Sequence, residues 1–250
     1  MNNQSMEHLQ QQLRSLRLAE SASYLPTLIK QAELEDWTYR MFLSCLADYE
    51  QSRRTEKQVE RRMKWASFPF HKTLDDFNLN EQESLSKKQI NQLKEFTWLD
   101  QLYNLILLGP PGVGKTHLAT GLGIEAINHG YKVSFISMGE LVHTLKTEEF
   151  TRKSQTRMKR IRDSNLVIID DLMFMAMDNR EANLFFHLIN DLYDKSSIIL
   201  TSNKAPNEWG DLLGDPGITT AILDRLIHRA EVINFRENES YRMKHRSSIF

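Results

Sequence analysis

The sequence predicts an α/β fold in which a five-stranded, mostly parallel sheet lies between helices, after a small all-helical N-terminal domain. Three observations support it. Short apolar runs alternate with helical patterns from Tyr103 onward, a glycine-rich loop follows the first run, and residues 1–66 show helical periodicity alone. Strands covered by helices on both faces are predominantly apolar, as these runs are.

The five expected strands are the apolar runs of the C-terminal region. They span residues 104–108, 133–137, 166–169, 197–200 and 231–235. Helical patterns cover residues 115–129 and 181–192. After the second strand, Ser137 and Glu140 are spaced as a capping box. Residues 81–100, ahead of the first strand, are expected to form one helix.

The N-terminal region reads as three amphipathic helices, because apolar residues recur there at intervals of three and four. These residues are Leu9, Leu13 and Leu16, then Leu25, Leu28, Ile29 and Ala32, then Met41, Phe42, Cys45, Leu46 and Tyr49. The third helix cannot continue through Pro69, since proline pushes the preceding residue towards extended geometry. We therefore divide the chain into a helical domain, 1–66, and a second domain, 67–250.

The composition argues against a membrane or secreted protein. The chain is 40% hydrophobic and 26% charged, and no run approaches the ~20 apolar residues that cross a bilayer. The N-terminus lacks the basic and apolar segments of a secretory signal. Cys45 is the only cysteine, which excludes an intramolecular disulfide. We expect a cytoplasmic location and no membrane partner.

The glycine-rich loop matches the phosphate-binding pattern G-x-x-x-x-G-K-[ST] at every fixed position. It consists of Gly109, Pro110, Pro111, Gly112, Val113, Gly114, Lys115 and Thr116. Average residue usage gives a chance match somewhere in such a chain a probability of roughly 1%. The preceding apolar strand and the following helix reduce that further. The loop therefore predicts a nucleoside-triphosphate site, with ATP as the expected ligand.

The chemistry of such a loop depends on these residue types. Glycines let backbone N–H groups turn inward around phosphate oxygens, and the start of the next helix favours an anion. Lys115 is expected to reach the β- and γ-phosphates, and the Thr116 hydroxyl to hold Mg²⁺.

Two aspartates follow the third apolar run, where a carboxylate for the metal is required. Asp170 is the expected Mg²⁺ partner. Asp171 would orient or deprotonate the attacking water, or it caps the next helix. Many related enzymes carry the longer glutamate at this position, so Asp171 predicts slow turnover.

Polar residues also follow the fourth strand, in Thr201-Ser202-Asn203. Such a triplet is an ordinary loop signal. Beside a phosphate loop, however, Asn203 is placed to hydrogen-bond the γ-phosphate or the attacking water. We therefore include Asn203 among the candidate catalytic residues.

Arginines form the last candidate group. Arg225 and Arg229 share one helix face at a spacing of four. They form either a surface salt bridge, with Asp224 or Glu231, or an arginine finger that reaches the γ-phosphate of a neighbouring subunit. A second candidate is Arg242, near the C-terminus, for contact with the phosphates of its own subunit. Spacing alone assigns neither arginine role.

Taken in order, these motifs resemble those of the AAA+ ATPases, and within them the initiator and helicase-loader clade. The closest resemblance is to the IstB-like helper ATPases of insertion-sequence transposons, which are similar to DnaC-type helicase loaders. Segments 72–77, 108–119 and 222–229 carry this resemblance, which extends over nearly the whole chain.

The resemblance implies roles for individual residues. Asp170 and Asp171 correspond to the Walker B pair, and Asn203 to sensor 1. The remaining residues that it assigns are Arg225 as arginine finger, Arg242 as sensor 2, Phe70, Lys72 and Phe77 over the adenine, and His117 beside the phosphate loop. It also implies duplex DNA as a partner, ATP-dependent assembly into a helical oligomer, and help to a transposase in choosing target DNA.

Two basic clusters are the expected DNA contacts. The expected contact residues are Arg53, Arg54, Arg61, Arg62, Lys146, Arg152, Lys153, Arg157, Lys159 and Arg160. They would neutralise phosphates without reading base sequence. Solvated helix faces are the alternative interpretation. The net charge of −1 does not exclude DNA binding, because binding depends on where charges lie.

Two other functions share the same core. A replicative helicase loader would differ chiefly in residues 1–66. A small-molecule kinase would need a second substrate site, of which the sequence gives no sign. The sequence favours the transposition helper.

Overall fold

A computed structural model of the chain describes residues 3–78, 84–172, 177–209 and 216–236. The chain forms two compact units, Met1–Arg61 and Arg62–Phe250. The division lies within a helix that ends at Ala66, the residue that closes the N-terminal domain in our assignment. That assignment stays a prediction.

The first unit is built from the three expected helices. These are α1 (Asn3–Ser15), α2 (Ala19–Leu34) and α3 (Tyr39–Ala66), whose last residues belong to the second unit. Leu25 and Leu28 are buried, and the rings of Tyr24 and Tyr49 stack 4.1 Å apart. Glu50 is buried, which raises the pKa of its carboxyl, but hydrogen bonds from Ser21 and Arg54 outweigh that effect and hold the pKa below its usual value.

The second unit contains the predicted five-stranded sheet. Its strands are β1 (Asn104–Leu108), β2 (Val133–Ser137), β3 (Leu166–Asp170), β4 (Ser197–Ser202) and β5 (Ala230–Asn234). The order across the sheet is β2-β3-β4-β1-β5, and every pair is parallel. All the carboxyl ends therefore meet at one edge. The prediction of a parallel α/β fold is confirmed.

Helices cover both faces of this sheet. They are α4 (Lys87–Lys94), α5 (Thr97–Asp100), α6 (Lys115–Asn128), α7 (Met138–Thr147), α8 (Arg152–Arg162), α9 (Asn179–Leu192) and α10 (Pro216–Ile227). Ser137 caps α7 by accepting a hydrogen bond from the Glu140 N–H at 3.3 Å. No described helix is long and apolar enough to span a bilayer.

The expectation of one helix over residues 81–100 is wrong. The helical path breaks at Phe96, whose φ of 55° is left-handed, and this break separates α4 from α5. The Phe96 side chain is buried, with its ring near those of Trp98, His129 and Tyr131. Burial of the aromatic ring thus outweighs the local preference for a continuous helix. Residues 81–83 lie outside the described part of the chain.

A strap, residues 67–77, connects α3 to the rest of the second unit without helical structure. It follows the end of α3, as Pro69 predicts. The strap packs against α6 at two glycines. A β-carbon on Gly121 would lie 2.7 Å from Leu74 Cδ2, and one on Gly123 would lie 2.8 Å from Phe68 Cε1. Glycine therefore permits the close approach of strap and helix.

Candidate nucleotide site

The phosphate loop connects β1 to α6 at the carboxyl edge of the sheet. Gly112 and Gly114 have φ values of 87° and 98°, a region that favours glycine. At Gly109, with a φ of 145°, a β-carbon would lie 2.7 Å from the carbonyl oxygen of Phe235. The loop thus needs glycine for its backbone path and for its contact with the residue after β5.

Lys115 lies at the first position of α6, and its side chain turns back over the loop. Its Nζ donates to the carbonyl oxygens of Gly109 at 2.6 Å and of Pro110 at 2.8 Å. The ammonium is therefore held beside the backbone that would surround a phosphate.

Thr116 and Asp170 are brought together by the packing of α6 beside β3. The Thr116 hydroxyl donates to Asp170 Oδ1 at 2.9 Å, and the Thr201 hydroxyl donates to the same oxygen at 2.7 Å. Three oxygen-bearing side chains thus converge at one point. Hard oxygen ligands of this kind suit Mg²⁺, which takes one or two carboxylates and completes its shell with water and phosphate. No group of three or more His, Cys, Asp or Glu able to hold a metal occurs among the described residues.

Asp171 occupies a left-handed turn immediately after β3, with a φ of 59°. Its backbone N–H donates to the Thr201 hydroxyl at 2.8 Å. The next helix among the described residues is α9, and its N-cap is Asp178, so Asp171 does not cap that helix. The exposed Asp171 carboxyl instead stands beside Asp170 at the carboxyl edge.

Asn203 follows β4 directly and is exposed. Because β4 lies between β3 and β1, Asn203 emerges between Asp170 and the phosphate loop. The turn is held by Ser202, whose hydroxyl donates to the Lys204 carbonyl at 2.8 Å and accepts from its N–H at 3.1 Å.

The strap residues predicted to cover the base gather around His117. The Phe77 ring lies 5.3 Å from the His117 ring and the Phe70 ring 6.5 Å from it, measured between centroids. Lys72 Nζ lies 5.7 Å from the centre of the Phe70 ring. The structure therefore brings all four residues together beside the start of α6.

A hydrogen-bond network fixes the strap at this point. His117 Nε2 lies 3.0 Å from the Thr73 carbonyl oxygen, which can only accept, so Nε2 carries the proton. Burial lowers the pKa of His117 more than the Thr73 bond raises it. Thr73 also donates from its N–H and hydroxyl to Asp76, at 2.8 and 2.9 Å, and these bonds lower the pKa of Asp76. The sequence motifs did not identify Thr73, Asp76 or Thr201 as site residues, because their roles depend on hydrogen bonds to other site residues and not on a motif position.

Arg225 does not meet the phosphate loop of its own chain. Its Nε donates to Asn190 Oδ1 at 3.2 Å, and its guanidinium carbon lies 5.0 Å from the centre of the Phe186 ring. It lines a cavity with Asn104, at the amino end of β1. The prediction that Arg225 and Arg229 share one helix face is wrong, because α10 ends at Ile227 and Arg229 lies in the turn before β5. Arg229 pairs with Asp194 at 3.7 Å, and with neither Asp224 nor Glu231 among the described residues. Arg242 and Tyr241 lie outside the described residues.

Several of the predicted DNA-contacting residues form ion pairs with carboxylates. Lys146 pairs with Glu181 at 2.8 Å, and Arg53 and Arg54 pair with Glu56 and Glu50. Arg157 does not suit the DNA role. Its side chain is only 11% exposed, and it binds the Phe135 carbonyl and lies 3.6 Å from Glu140. The remaining members on α8, Arg152, Lys153 and Lys159, are exposed, and Arg160 is half-buried.

Comparisons with known proteins agree with this geometry. Residues 11–249 match the family model described as IstB-like ATP binding protein. An insertion sequence IS21 putative ATP-binding protein of Pseudomonas aeruginosa is 36% identical over 96% of this chain and 90% of its own length. Among solved structures, AMPPCP-bound DnaA of Aquifex aeolicus shares the fold at 24% identity, with a TM-score of 0.56 over 71% of this chain and 54% of that chain. The DnaC helicase loader shares it at 20% identity, with a TM-score of 0.51 over 70% of this chain and 98% of that chain. The chain therefore belongs to the IstB-like ATP-binding protein family, with the AAA+ fold of the initiators and helicase loaders.

Proposed function

We propose that this protein is an ATP-hydrolysing, DNA-binding helper that assembles on duplex DNA and assists the transposase of an insertion sequence. The observation that carries the proposal is the 2.9 Å contact between Thr116 and Asp170. It joins the end of the phosphate loop, which follows β1, to the carboxylate at the end of β3. Binding a nucleoside triphosphate with its metal requires this arrangement.

In this proposal the loop residues and Lys115 hold the phosphates. Mg²⁺, when bound, screens phosphate charge, and the Thr116 hydroxyl and Asp170 would hold it. Asp171 and Asn203 orient the attacking water from two adjacent strand ends. Phe70, Lys72, Phe77 and His117 enclose the base.

Hydrolysis would be completed between subunits. Arg225 lines a cavity at the amino end of β1, whereas the loop lies at the carboxyl end. It is thus poorly placed to serve its own nucleotide, and we assign it to a neighbour's γ-phosphate. This requires Arg225 to leave its neutral contacts with Asn190, the Ala221 carbonyl and the Phe186 ring. Arg242 is assigned to the phosphates of its own subunit.

DNA contact is assigned to the exposed basic side chains of α8, with Arg62 and Arg61 of α3. Contacts to phosphates position a protein without specifying sequence, which suits a helper that accepts many targets. We further propose a helical oligomer on the DNA and a cytoplasmic location. The insertion-sequence origin of the relatives supports a transposase as the protein partner.

The proposal is tested by the anisotropy of a labelled duplex with a non-hydrolysable ATP analogue, with ADP, and with no nucleotide. We expect the tightest binding with the analogue, a steep loss of affinity with salt, and little change with DNA sequence. Lys115→Ala should lose the nucleotide effect, whereas Lys195→Ala, which removes an exposed charge elsewhere, should retain it. Equal binding in all three nucleotide states would refute the assembly role.

A further inference from the structure

A pocket of about 250 Å³ opens at the amino ends of β2 and β3. We call it the Trp65 pocket, and its lining includes Arg62, Trp65, Lys132, Thr156, Lys159 and Arg160. Lys132 immediately precedes β2, whereas the phosphate loop follows the carboxyl end of β1. Because the strands are parallel, this pocket lies at the opposite end of the sheet from the nucleotide site. Any ligand bound there would therefore be separate from the nucleotide.

The Trp65 pocket carries an excess of positive charge. Four of its lining residues, Arg62, Lys132, Lys159 and Arg160, are cationic, against the single carboxylate of Asp163. Within the described parts of the chain, these four cations have no ion pair at salt-bridge distance.

The neighbouring cations behave differently. Lys146 pairs with Glu181, Arg157 with Glu140 and Arg162 with Glu148. These three cations outside the pocket lining are thus paired with carboxylates, whereas the four that line it are not, among the residues described. Like charges held together repel one another unless an anion joins them. The charge pattern therefore points to an anionic ligand.

An aromatic face lies among these cations. The Trp65 side chain is 42% exposed, and the guanidinium carbon of Arg160 lies 5.2 Å from the centre of the indole ring. Val133 and Ser134, both buried, form part of the floor. Nucleobases that leave the helical stack are bound by aromatic rings and by arginine planes. The volume is slightly below the usual range of ligand pockets, about 300–1,000 Å³, which suits one planar ring.

We infer that the Trp65 pocket binds one unstacked nucleotide of the DNA. Its base would stack against Trp65 and Arg160, and its flanking phosphates would meet Lys132, Lys159 and Arg62. Arg152, Thr156 and Lys159 lie on a single face of α8. Thr156 and Lys159 line the pocket and Arg152 is exposed, so Arg152 extends the positive charge of this face beyond the pocket. This inference rests on the proposed DNA binding and adds that the bound DNA is locally unstacked.

The test compares three labelled duplexes of equal length, with a non-hydrolysable ATP analogue present. One is fully paired, one has a single bulged thymidine, and one has an abasic residue in the same bulge. We expect the bulged thymidine to bind at least about five-fold more tightly than the other two, the lower end of what stacking of one base supplies. Stacking should also quench the fluorescence of Trp65, measured as the difference between wild type and Trp65→Phe.

Variants separate the pocket from general DNA affinity. Trp65→Ala should abolish the preference for the bulged thymidine while binding the paired duplex nearly as well as wild type. Trp65→Phe should retain part of the preference. Lys153→Ala, on α8 outside the pocket, should weaken binding of all three duplexes alike.

Failure of the proposed function and failure of the nucleotide pocket give different results. If wild type binds no duplex, the proposed function itself fails. If it binds all three equally, only the nucleotide pocket is refuted. A preference for both bulges, thymidine and abasic, would mean that the protein senses bending and that no base enters the pocket. Equal duplex binding together with Trp65-dependent binding of a polyglutamate peptide would reassign the pocket to an acidic protein segment.

Discussion

The hydroxyl of Thr201 donates to Asp170 Oδ1 at 2.7 Å, so the carboxylate assigned to the metal is oriented by the adjacent strand. The same oxygen of Thr201 accepts the backbone N–H of Asp171 at 2.8 Å. One buried side chain therefore positions both aspartates. It also links β4, which Asn203 directly follows, to the end of β3.

Thr201→Val should lower ATP turnover by about 10–100-fold, the usual effect of removing a group that orients a metal ligand. It should also destabilise the protein, because the Asp171 N–H loses its acceptor at a cost of about 1–3 kcal/mol. Turnover and urea unfolding measure the two effects. Thr201→Ser restores the hydroxyl and should recover most of both. Unchanged turnover in the valine variant would remove Thr201 from this role.

Asp171→Asn should retain ATP binding and lose about 10²–10⁴-fold in turnover if Asp171 acts as the base. Asparagine is the matched substitution here, because it has the same shape and tolerates the left-handed φ of 59°. Asp171→Glu should raise turnover, since the carboxylate then reaches further towards the water. Equilibrium nucleotide binding and single-turnover hydrolysis measure the two properties. Full turnover in the asparagine variant would contradict the assignment.

Arg225→Ala should bind ATP normally and lose about 10³-fold or more in hydrolysis, as expected for an arginine finger. Arg229→Ala, which removes a partner of Asp194 just beyond the end of α10, is the control and should retain hydrolysis.

Mixing subunits tests whether Arg225 acts across an interface. Arg225→Ala retains an intact phosphate loop, and Lys115→Ala retains Arg225. An equimolar mixture of the two inactive variants should therefore recover part of the activity. A mixture as inactive as its components would place Arg225 outside the neighbour's site.

The strap should be less stable in mild acid. Burial holds the pKa of His117 below its ordinary value of 6.5, so the folded state binds fewer protons than the unfolded state. The stabilisation is complete above about pH 6.5 and is lost as the pH falls towards the lowered pKa. Asp76 contributes to stability in a separate, more acidic pH range, because its pKa is lowered from 3.8.

Thermal denaturation between pH 5 and pH 8 measures the His117 effect. His117→Gln keeps a donor for the Thr73 carbonyl but has no titrating ring. It should therefore show a weaker dependence on pH than wild type over this range. An identical pH dependence in the two proteins would rule out His117 as the source.

The sequence by itself determined the elements whose signal is local. The run from Leu105 to Leu108, the loop to Thr116 and the apolar strand before Asp170 are each contiguous. Their residue types follow from strand burial and phosphate geometry, so a short window suffices to recognise them. The parallel sheet follows from the alternation of such windows with helical ones.

Only the tertiary structure decided which distant residues meet. Thr201 reaches Asp170 because β4 pairs with β3, and the strap reaches His117 because two glycines allow it to approach α6. Arg157 and Lys159 belong to the same basic run, yet one is buried against β2 and the other lines a cationic pocket. The periodicity of a sequence indicates which face of a helix a residue occupies. The partners of that residue depend on which elements pack against this face, and that packing is determined by the burial of apolar side chains across the whole unit.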